Sequence, residues 1–270
     1  MPQQPTLARR TLGLALRRHR RSRGKTMRDA AAFTGWSDNT IARIEAGSQP
    51  TRLNQAKALC DFYELPPEEK SRLCGLAAQS GEPGWWEPYF DKSRGAAAPP
   101  RSPLFLETER EARRIWVLEL EVVPGLLQTL EYLRALQEAG LPMAPGSAEA
   151  AQGLRAHRQQ GLDERDDSPE LEFVIGHAAM AYLEQLPADV REGQRERIRE
   201  MAARPNVTVR VLTRMHAAAS GSFTMLTPGD ELPPFVYLDA LDGCRYIEDA
   251  DVVSLYERTF AAARDSTEIL

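Results

Sequence analysis

The chain has 270 residues, 42% of them apolar and 27% charged, which excludes disorder and low complexity and leaves enough apolar material for two cores. No apolar run approaches the roughly 18–20 residues needed to cross a bilayer. The stretch Leu12 to Leu16 is too short for the core of a signal peptide and runs straight into Arg17 and Arg18, so a cytoplasmic protein is expected. Net charge is −5, from 34 Lys+Arg against 39 Asp+Glu, and it is segregated: through Arg52 there are eleven basic and three acidic residues, leaving 23 basic and 36 acidic beyond. A basic head on an acidic body points to a polyanion met by the head alone. Cys60, Cys74 and Cys244 have no metal-ligand or disulfide spacing.

Short helices at regular spacing fill the first third. Thr6 to Arg23 carries Leu12, Leu16 and His19 on one face, with arginines elsewhere, and Gly24 ends it. Thr26 to Asp29 has the form of a capping box and opens a second helix that carries Met27, Ala30, Ala31 and Phe33. Ser37 caps a third helix with Ile41 and Ile44 inward, ended by Gly47 and Pro50. A fourth helix, Thr51 to Tyr63, turns Leu53, Ala56, Leu59, Cys60 and Tyr63 inward. A fifth starts at Pro66-Pro67-Glu68-Glu69 and runs to about Ala78.

Helices two and three are each about eight residues long and are joined by Thr34-Gly35-Trp36-Ser37, a helix-turn-helix spacing. In this geometry the first residues of the third helix meet base edges in the major groove. Those are Asp38, Asn39 and Thr40, with Arg43 one turn on. Asn39 suits adenine, Arg43 guanine or a phosphate, and Thr40 a thymine methyl. Thr26, Arg28, Ser37, Gln49 and Arg52 are placed for phosphates. Glu45 fits a structural hydrogen-bond partner within the head better than a base reader.

The segment from Thr26 to Pro50 resembles the lambda-repressor/Cro-like, or Xre-type, family. The matching features are Ala31 at the helix crossing, Gly35 in the turn, Ser37, Ile41, and Ile44-Glu45-x-Gly47 followed by Pro50. Met27 departs from the pattern, since many relatives carry a phosphate-contacting Gln there. Trp36 stands where Val is usual and is read as core.

Residues 1–79 are thus expected to form a helix-turn-helix head. A connector over 80–103 holds Pro and Gly breakers with Trp85-Trp86 and Tyr89-Phe90, aromatics expected to dock on a domain or on a partner subunit. The body, 104–270, is expected to open with a helix from Leu104 to Leu120. Helices Leu126 to Glu138 and about Ala148 to Gly161 follow, then a strand Glu170 to Ile175. Helices come next at His177 to Glu184 and Pro187 to Ala203. β-rich runs follow at Asn206–Leu212, Ser222–Thr227, Phe235–Leu241 and Arg245–Glu248. A final helix, Asp249 to Arg264, puts Val253, Tyr256, Phe260 and Ala263 on one face. The fold class is α+β: an all-α head of about five helices and a mixed α/β body with a small sheet.

The body has its own resemblance. Glu107-x-Glu109-x-x-Ala112, the run Val123-Pro124-Gly125-Leu126-Leu127-Gln128-Thr129-x-x-Tyr132, and Arg155-x-x-Arg158-Gln159 carry it. So do Pro205-Asn206-Val207-Thr208-Val209-x-Val211, Gly221-x-Phe223-Thr224 and Tyr237. These resemble the domain that follows an Xre-type head in a large actinobacterial group of antitoxin-like transcriptional regulators. The resemblance implies a regulator and no defined chemistry. His177 stands where relatives carry Glu, and Thr213 where Pro usually follows the strand.

Catalytic motifs are missing: the sequence has no HExxH, GxSxG, Walker or GxGxxG pattern, so neither an enzyme nor a cofactor is expected. The acidic run Asp163 to Asp167 reads as a solvated loop. His177 and His216 could converge with Asp239 or Asp242, though no spacing requires it. The Ala/Ser/Gly-rich stretch Met215–Ser222 is a loop that could border an effector pocket. Candidate ligand residues are His177, His216 and Tyr237.

Three readings remain. One is a transcriptional regulator whose body dimerises and senses an effector or protein. The second is an antitoxin-like adaptor for a small partner protein. The third is an enzyme domain with a DNA-binding head. Double-stranded DNA is the expected partner, and no membrane is. One recognition helix reads few base pairs, so a homodimer on a near-palindromic operator is expected. Either the final helix or the connector aromatics would be buried between its subunits.

Overall fold

The computed structural model describes residues 6–82, 84–90, 103–140, 147–216, 218, 221–229, 232–240 and 243–270. They form two compact units. The first comprises the described residues up to Glu87, the segment through Glu107 and Leu232. The second comprises Pro88–Phe90 and the rest from Thr108 onward. Residues 91–102 of the connector, and Asp242, lie outside the described residues.

Five helices make the head: α1 Leu7–Ser22, α2 Met27–Thr34, α3 Asp38–Glu45, α4 Leu53–Phe62 and α5 Pro67–Gln79. Their apolar stripes meet in one core, where Leu12, Leu16, Ala30, Ile41, Ile44, Leu59 and Tyr63 are fully buried. Three expected core residues lie at the surface instead: Phe33 is 58% exposed, Leu53 43% and Met27 40%. In α2 the small Ala30 and Ala31 form the contact face, which leaves Phe33 outside. There it stacks on Phe62 at 4.6 Å, with the Lys25 ammonium 5.5 Å over the Phe62 ring. Trp36 packs partly buried against the core. His19 is half-buried and bonds Glu69 at 2.8 Å.

The body begins differently from the expected single helix. Helix α6 spans only Pro103–Glu111, and Arg114–Glu119 is strand β1. The segment Arg-Ile-Trp-Val-Leu-Glu is β-branched and aromatic, which favours a pleated surface over a helix. A 3-10 turn, Gly125–Leu127, precedes α7 Leu130–Glu138. It is followed by α8 Ser147–Asp163, β2 Glu170–Ile175, α9 His177–Leu183 and α10 Ala188–Ala202. Strands β3 Val207–Leu212, β4 Phe223–Thr227, β5 Phe235–Ala240 and β6 Gly243–Ile247 lead to α11 Ala250–Arg264 and a short β7, Thr267–Ile269. The α+β class holds, and the sheet is mixed. It has seven strands in the order β6-β5-β4-β1-β2-β3-β7, with β1, β2 and β3 parallel and the others antiparallel to their neighbours. Strands β1 and β7 are the two not foreseen.

Register decides which side chains share a face. Trp116 and Leu118 of β1 align with Glu172 and Val174 of β2, and with Met225 and Phe223 of β4. This face is covered by α11, which buries Val253, Phe260 and Ala263 against it. Phe260 is stacked on Trp116 at 5.0 Å, and Glu172 bridges Arg210 at 2.9 Å and Arg264 at 3.2 Å. The opposite face, with Val117, Phe173 and Val209 in line, is buried too. Strand β2 is therefore apolar on both sides, as interior parallel strands are. The inward face of α11 is thus taken up by this chain's own core, with Tyr256 partly buried against it. A seven-stranded sheet needs a cover on this face, and α11 provides it.

The segment Val123 to Thr129 is held by side-chain amides. Gln159 Nε2 donates to the Leu126 and Gln128 carbonyls at 3.1 and 2.8 Å. Gln194 donates to Leu127 O and accepts from Thr129 N, both at 2.8 Å. Val123 N donates to the Tyr132 hydroxyl at 3.1 Å. A Cβ on Gly125 would lie 1.7 Å from an Arg155 guanidinium nitrogen, so any larger residue there would have to displace the end of that side chain. Beside it the buried Glu109 and Arg158 form a bidentate pair at 2.6 and 2.5 Å.

Replacing Phe260 by Ala removes a fully buried ring from the α11–sheet contact. The full-length variant should lose about 3–5 kcal/mol of stability. Urea unfolding followed by circular dichroism checks this, and a loss under 1 kcal/mol would contradict the assigned packing.

Candidate nucleic-acid interface

Helix α2 starts with a complete capping box: Asp29 N donates to Thr26 Oγ1 at 3.1 Å, and Thr26 N to Asp29 Oδ2 at 2.7 Å. It ends at Gly35, whose φ of +73° gives the left-handed cap that lets the chain reverse in a short turn. Ser37 then caps α3 by accepting from Thr40 N at 3.1 Å. Three consecutive local signals thus set the angle between the two helices.

Helix α3 has two faces. Ile41 and Ile44 enter the core with no exposed surface, and Glu45 is buried beside them. Asp38, Asn39 and Arg43 are exposed on the other side. The buried side is fixed against α1. The Arg20 guanidinium donates to both Glu45 carboxylate oxygens, at 2.6 and 2.8 Å, and to Lys25 O at 2.9 Å. The Glu45 carboxylate holds the Arg20 guanidinium's pKa above its ordinary value. Gly13 lets the two backbones touch: a Cβ there would lie 2.6 Å from Ile44 O and 2.7 Å from Glu45 O. Past the helix, Gly47 adopts φ +67° beside the Arg9 backbone. Glu45 is therefore the structural partner the sequence suggested. Its mate Arg20 and the contact glycine Gly13 were missed, although Arg20 continues the Leu12, Leu16 stripe at the next i+4 step.

The phosphate candidates separate into two kinds. Arg28 in the first turn of α2 and Arg52 at the start of α4 are exposed and, like Arg43, make no ion pair among the described residues. Thr26 and Ser37 have their hydroxyls engaged locally: Thr26 Oγ1 donates to Asp29 Oδ2 at 2.7 Å, and Ser37 Oγ bonds Thr40 Oγ1 at 3.0 Å. Thr40 is half-buried by that contact, and Gln49 is half-buried in the loop before α4. Elsewhere on the head, Arg72 and His19 converge on Glu69, and their hydrogen bonds hold its carboxyl down at about 2.

The body's ligand candidates sit on three different segments. His177 is exposed at the start of α9. His216, after β3, has a buried Nδ1 with no hydrogen-bond partner among the described residues. Tyr237 is buried in β5 and donates to Asp239 Oδ1 at 3.0 Å. None of the three lines the cavity bordered by Leu126, Leu171 and Met201. Among the described residues no group of three His, Cys, Asp or Glu is arranged to hold a metal, and no helix is long and apolar enough to cross a membrane. Of the connector aromatics, Trp86 donates to Glu107 at 3.1 Å, and Tyr89 bonds His157 at 3.3 Å.

A pair of short helices at a tight glycine turn, with one helix anchored behind and polar in front, defines a helix-turn-helix DNA-binding domain. Comparison with family models agrees, matching a helix-turn-helix domain over residues 11–73. A second model, described as a domain of unknown function (DUF5753), matches residues 103–268. It covers more than half the chain, and the protein belongs to that family. No curated protein matches the chain.

Two outcomes test the head. Glu45→Ala leaves the Arg20 charge buried without a partner and should cost about 3–5 kcal/mol, whereas Arg20→Met with Glu45→Leu should cost less than either single change. A double variant as unstable as Glu45→Ala would refute the role given to the pair. Glu69 has a depressed folded pKa, so its stabilisation is present above the ordinary carboxylate range and is lost as pH falls toward 2. The stability gap between the protein and Glu69→Gln should therefore shrink from pH 4.5 downward, and a gap independent of pH would count against it.

Proposed function

We propose that the protein is a cytoplasmic, Xre-type, sequence-specific transcriptional regulator. It binds double-stranded DNA as a homodimer on a near-palindromic operator, and its body senses an effector or a partner protein by binding rather than catalysis. The observation that carries this reading is the division of α3: Ile41, Ile44 and Glu45 anchored, Asp38, Asn39 and Arg43 exposed. Asn39 is the adenine reader, Arg43 the guanine reader, and Asp38 an acceptor for cytosine N4. Arg28, Arg52 and the backbone N–H groups at the start of α2 hold phosphates. A single α3 spans too few base pairs to select a genomic site, and two related heads about 34 Å apart supply the rest.

A second reading, an antitoxin-like adaptor of the actinobacterial type whose body binds a small protein, is favoured by apolar side chains that the body leaves in water. Leu255 on α11 is 53% exposed and Ile269 on the edge strand 66%. A stoichiometric small protein retained through purification of the native chain distinguishes it from the first.

Binding-site selection with the full-length protein, followed by affinity measured against salt, tests the DNA reading. Affinity should fall steeply as salt rises. Asn39→Ala and Arg43→Ala should each relax preference at one position, by about 1–3 kcal/mol. Arg28→Ala and Arg52→Ala should weaken all sequences alike and lower the salt slope by about one each. Unchanged specificity in Asn39→Ala would overturn the placement of α3 in the groove.

A further inference from the structure

The body holds a cavity of about 200 Å³ at the amino-terminal ends of the parallel strands β2 and β3. Leu126 of the 3-10 turn, Leu162 of α8, Leu171 of β2 and Met201 of α10 supply its apolar wall. Two amides also line it, and their donors are taken: Gln159 Nε2 by the Leu126 and Gln128 carbonyls, and Asn206 Nδ2 by Pro169 O at 2.7 Å. Of the two lining guanidiniums, Arg204 is paired with Asp163. Arg197 is not bound in this way. Its side chain is 20% exposed, and its one ion-pair contact among the described residues, Glu200, stands 3.9 Å away, beyond hydrogen-bond reach. The lining thus offers one largely buried cation with open donors next to an apolar wall.

An apolar wall accepts a hydrocarbon body, and a desolvated guanidinium with open donors accepts an anion bidentately. The volume holds about seven water equivalents at about 30 Å³ each. It falls below the roughly 300–1,000 Å³ of sites for drug-sized ligands. We propose that this cavity binds a small carboxylate with a short branched apolar body, its carboxylate on Arg197 and its body against Leu126, Leu162, Leu171 and Met201. This deepens the reading of the body as a sensor and rests on it for biological purpose. Binding itself is measured without DNA, so the two can fail separately.

The test uses the full-length protein with ¹³C-methyl methionine, the Met201 resonance being assigned with Met201→Leu. The probes are 4-methylpentanoate and its neutral isostere 4-methylpentanamide. The acid should shift Met201 saturably, and the amide should bind at least ten-fold more weakly. Arg197→Gln should weaken the acid at least ten-fold and leave the amide unchanged. Leu162→Phe, which fills the cavity from a half-buried position, should abolish binding of both and serves if Arg197→Gln melts early. No saturable shift of Met201, equal binding of acid and amide, or acid binding that survives Leu162→Phe would overturn the proposal.

Discussion

Helix α3 is only eight residues long, too short to hold itself in place, and a buried ion pair fixes it. Arg20 and Glu45 keep 9% and 5% of their side chains exposed, so each charge without the other would be buried in an apolar interior. Bidentate geometry satisfies both, and the third bond, from Arg20 to Lys25 O, ties the pair to the loop that leads into α2. The end of α1, the start of α2 and the end of α3 are therefore tied through a single side chain. Because ion pairs depend on direction, this contact sets register where an apolar contact would allow rotation. Gly13 complements it by letting α1 and α3 approach to backbone contact. The exposed polar face of α3 owes its orientation to buried residues behind it.

The body repeats the device. Glu109 and Arg158 form a second buried bidentate pair, and Gln159 next to it fixes the turn at Gly125 through three carbonyls. Buried polar networks of this kind are costly when incomplete and specific when satisfied. They account for the burial of Val123 to Gln128, the start of the most distinctive motif of the body, which organises the contacts among α7, α8 and α10. Chemistry directed outward has to come from elsewhere in the body.

Legibility followed the range of the interactions involved. Helices α1 to α5, the capping box at Thr26 and the Gly35 turn were readable because caps, glycine and a 3.6-residue period act within a few residues. Glu45 was identified by its place in the motif. Arg20 was not, because an arginine on an apolar stripe reads as solvated until its carboxylate is known, 25 residues away. Strand β1 reads as the end of a helix because Leu104 to Leu120 holds no Gly or Pro to break it; the β-branched and aromatic Ile115-Trp116-Val117 and the pairing with β2 and β4 make it a strand. The three-residue β7 exists by pairing with β3 and carries no period of its own. Phe33 and Leu53 mislead for a related reason: apolar character does not say which of two apolar faces a helix buries.

Charge segregation takes on a sharper meaning once burial is known. The head carries an excess of positive charge, yet several of its cations serve the fold. Arg20 is buried with Glu45, and Arg9 donates to the Ser80 carbonyl from a buried position. Arg23 pairs with Glu64, and Lys25 lies over Phe62. The exposed arginines without an ion pair among the described residues up to Arg52 are Arg17, Arg21, Arg28, Arg43 and Arg52. Counterion release scales with the phosphates actually neutralised, not with formal charge. The head's attraction for a polyanion therefore comes from fewer charges than its composition counts, these five arginines together with the exposed Lys25 and Lys57. Three of the five, Arg28, Arg43 and Arg52, stand on or beside α2, α3 and the start of α4, while Arg17 and Arg21 lie on α1.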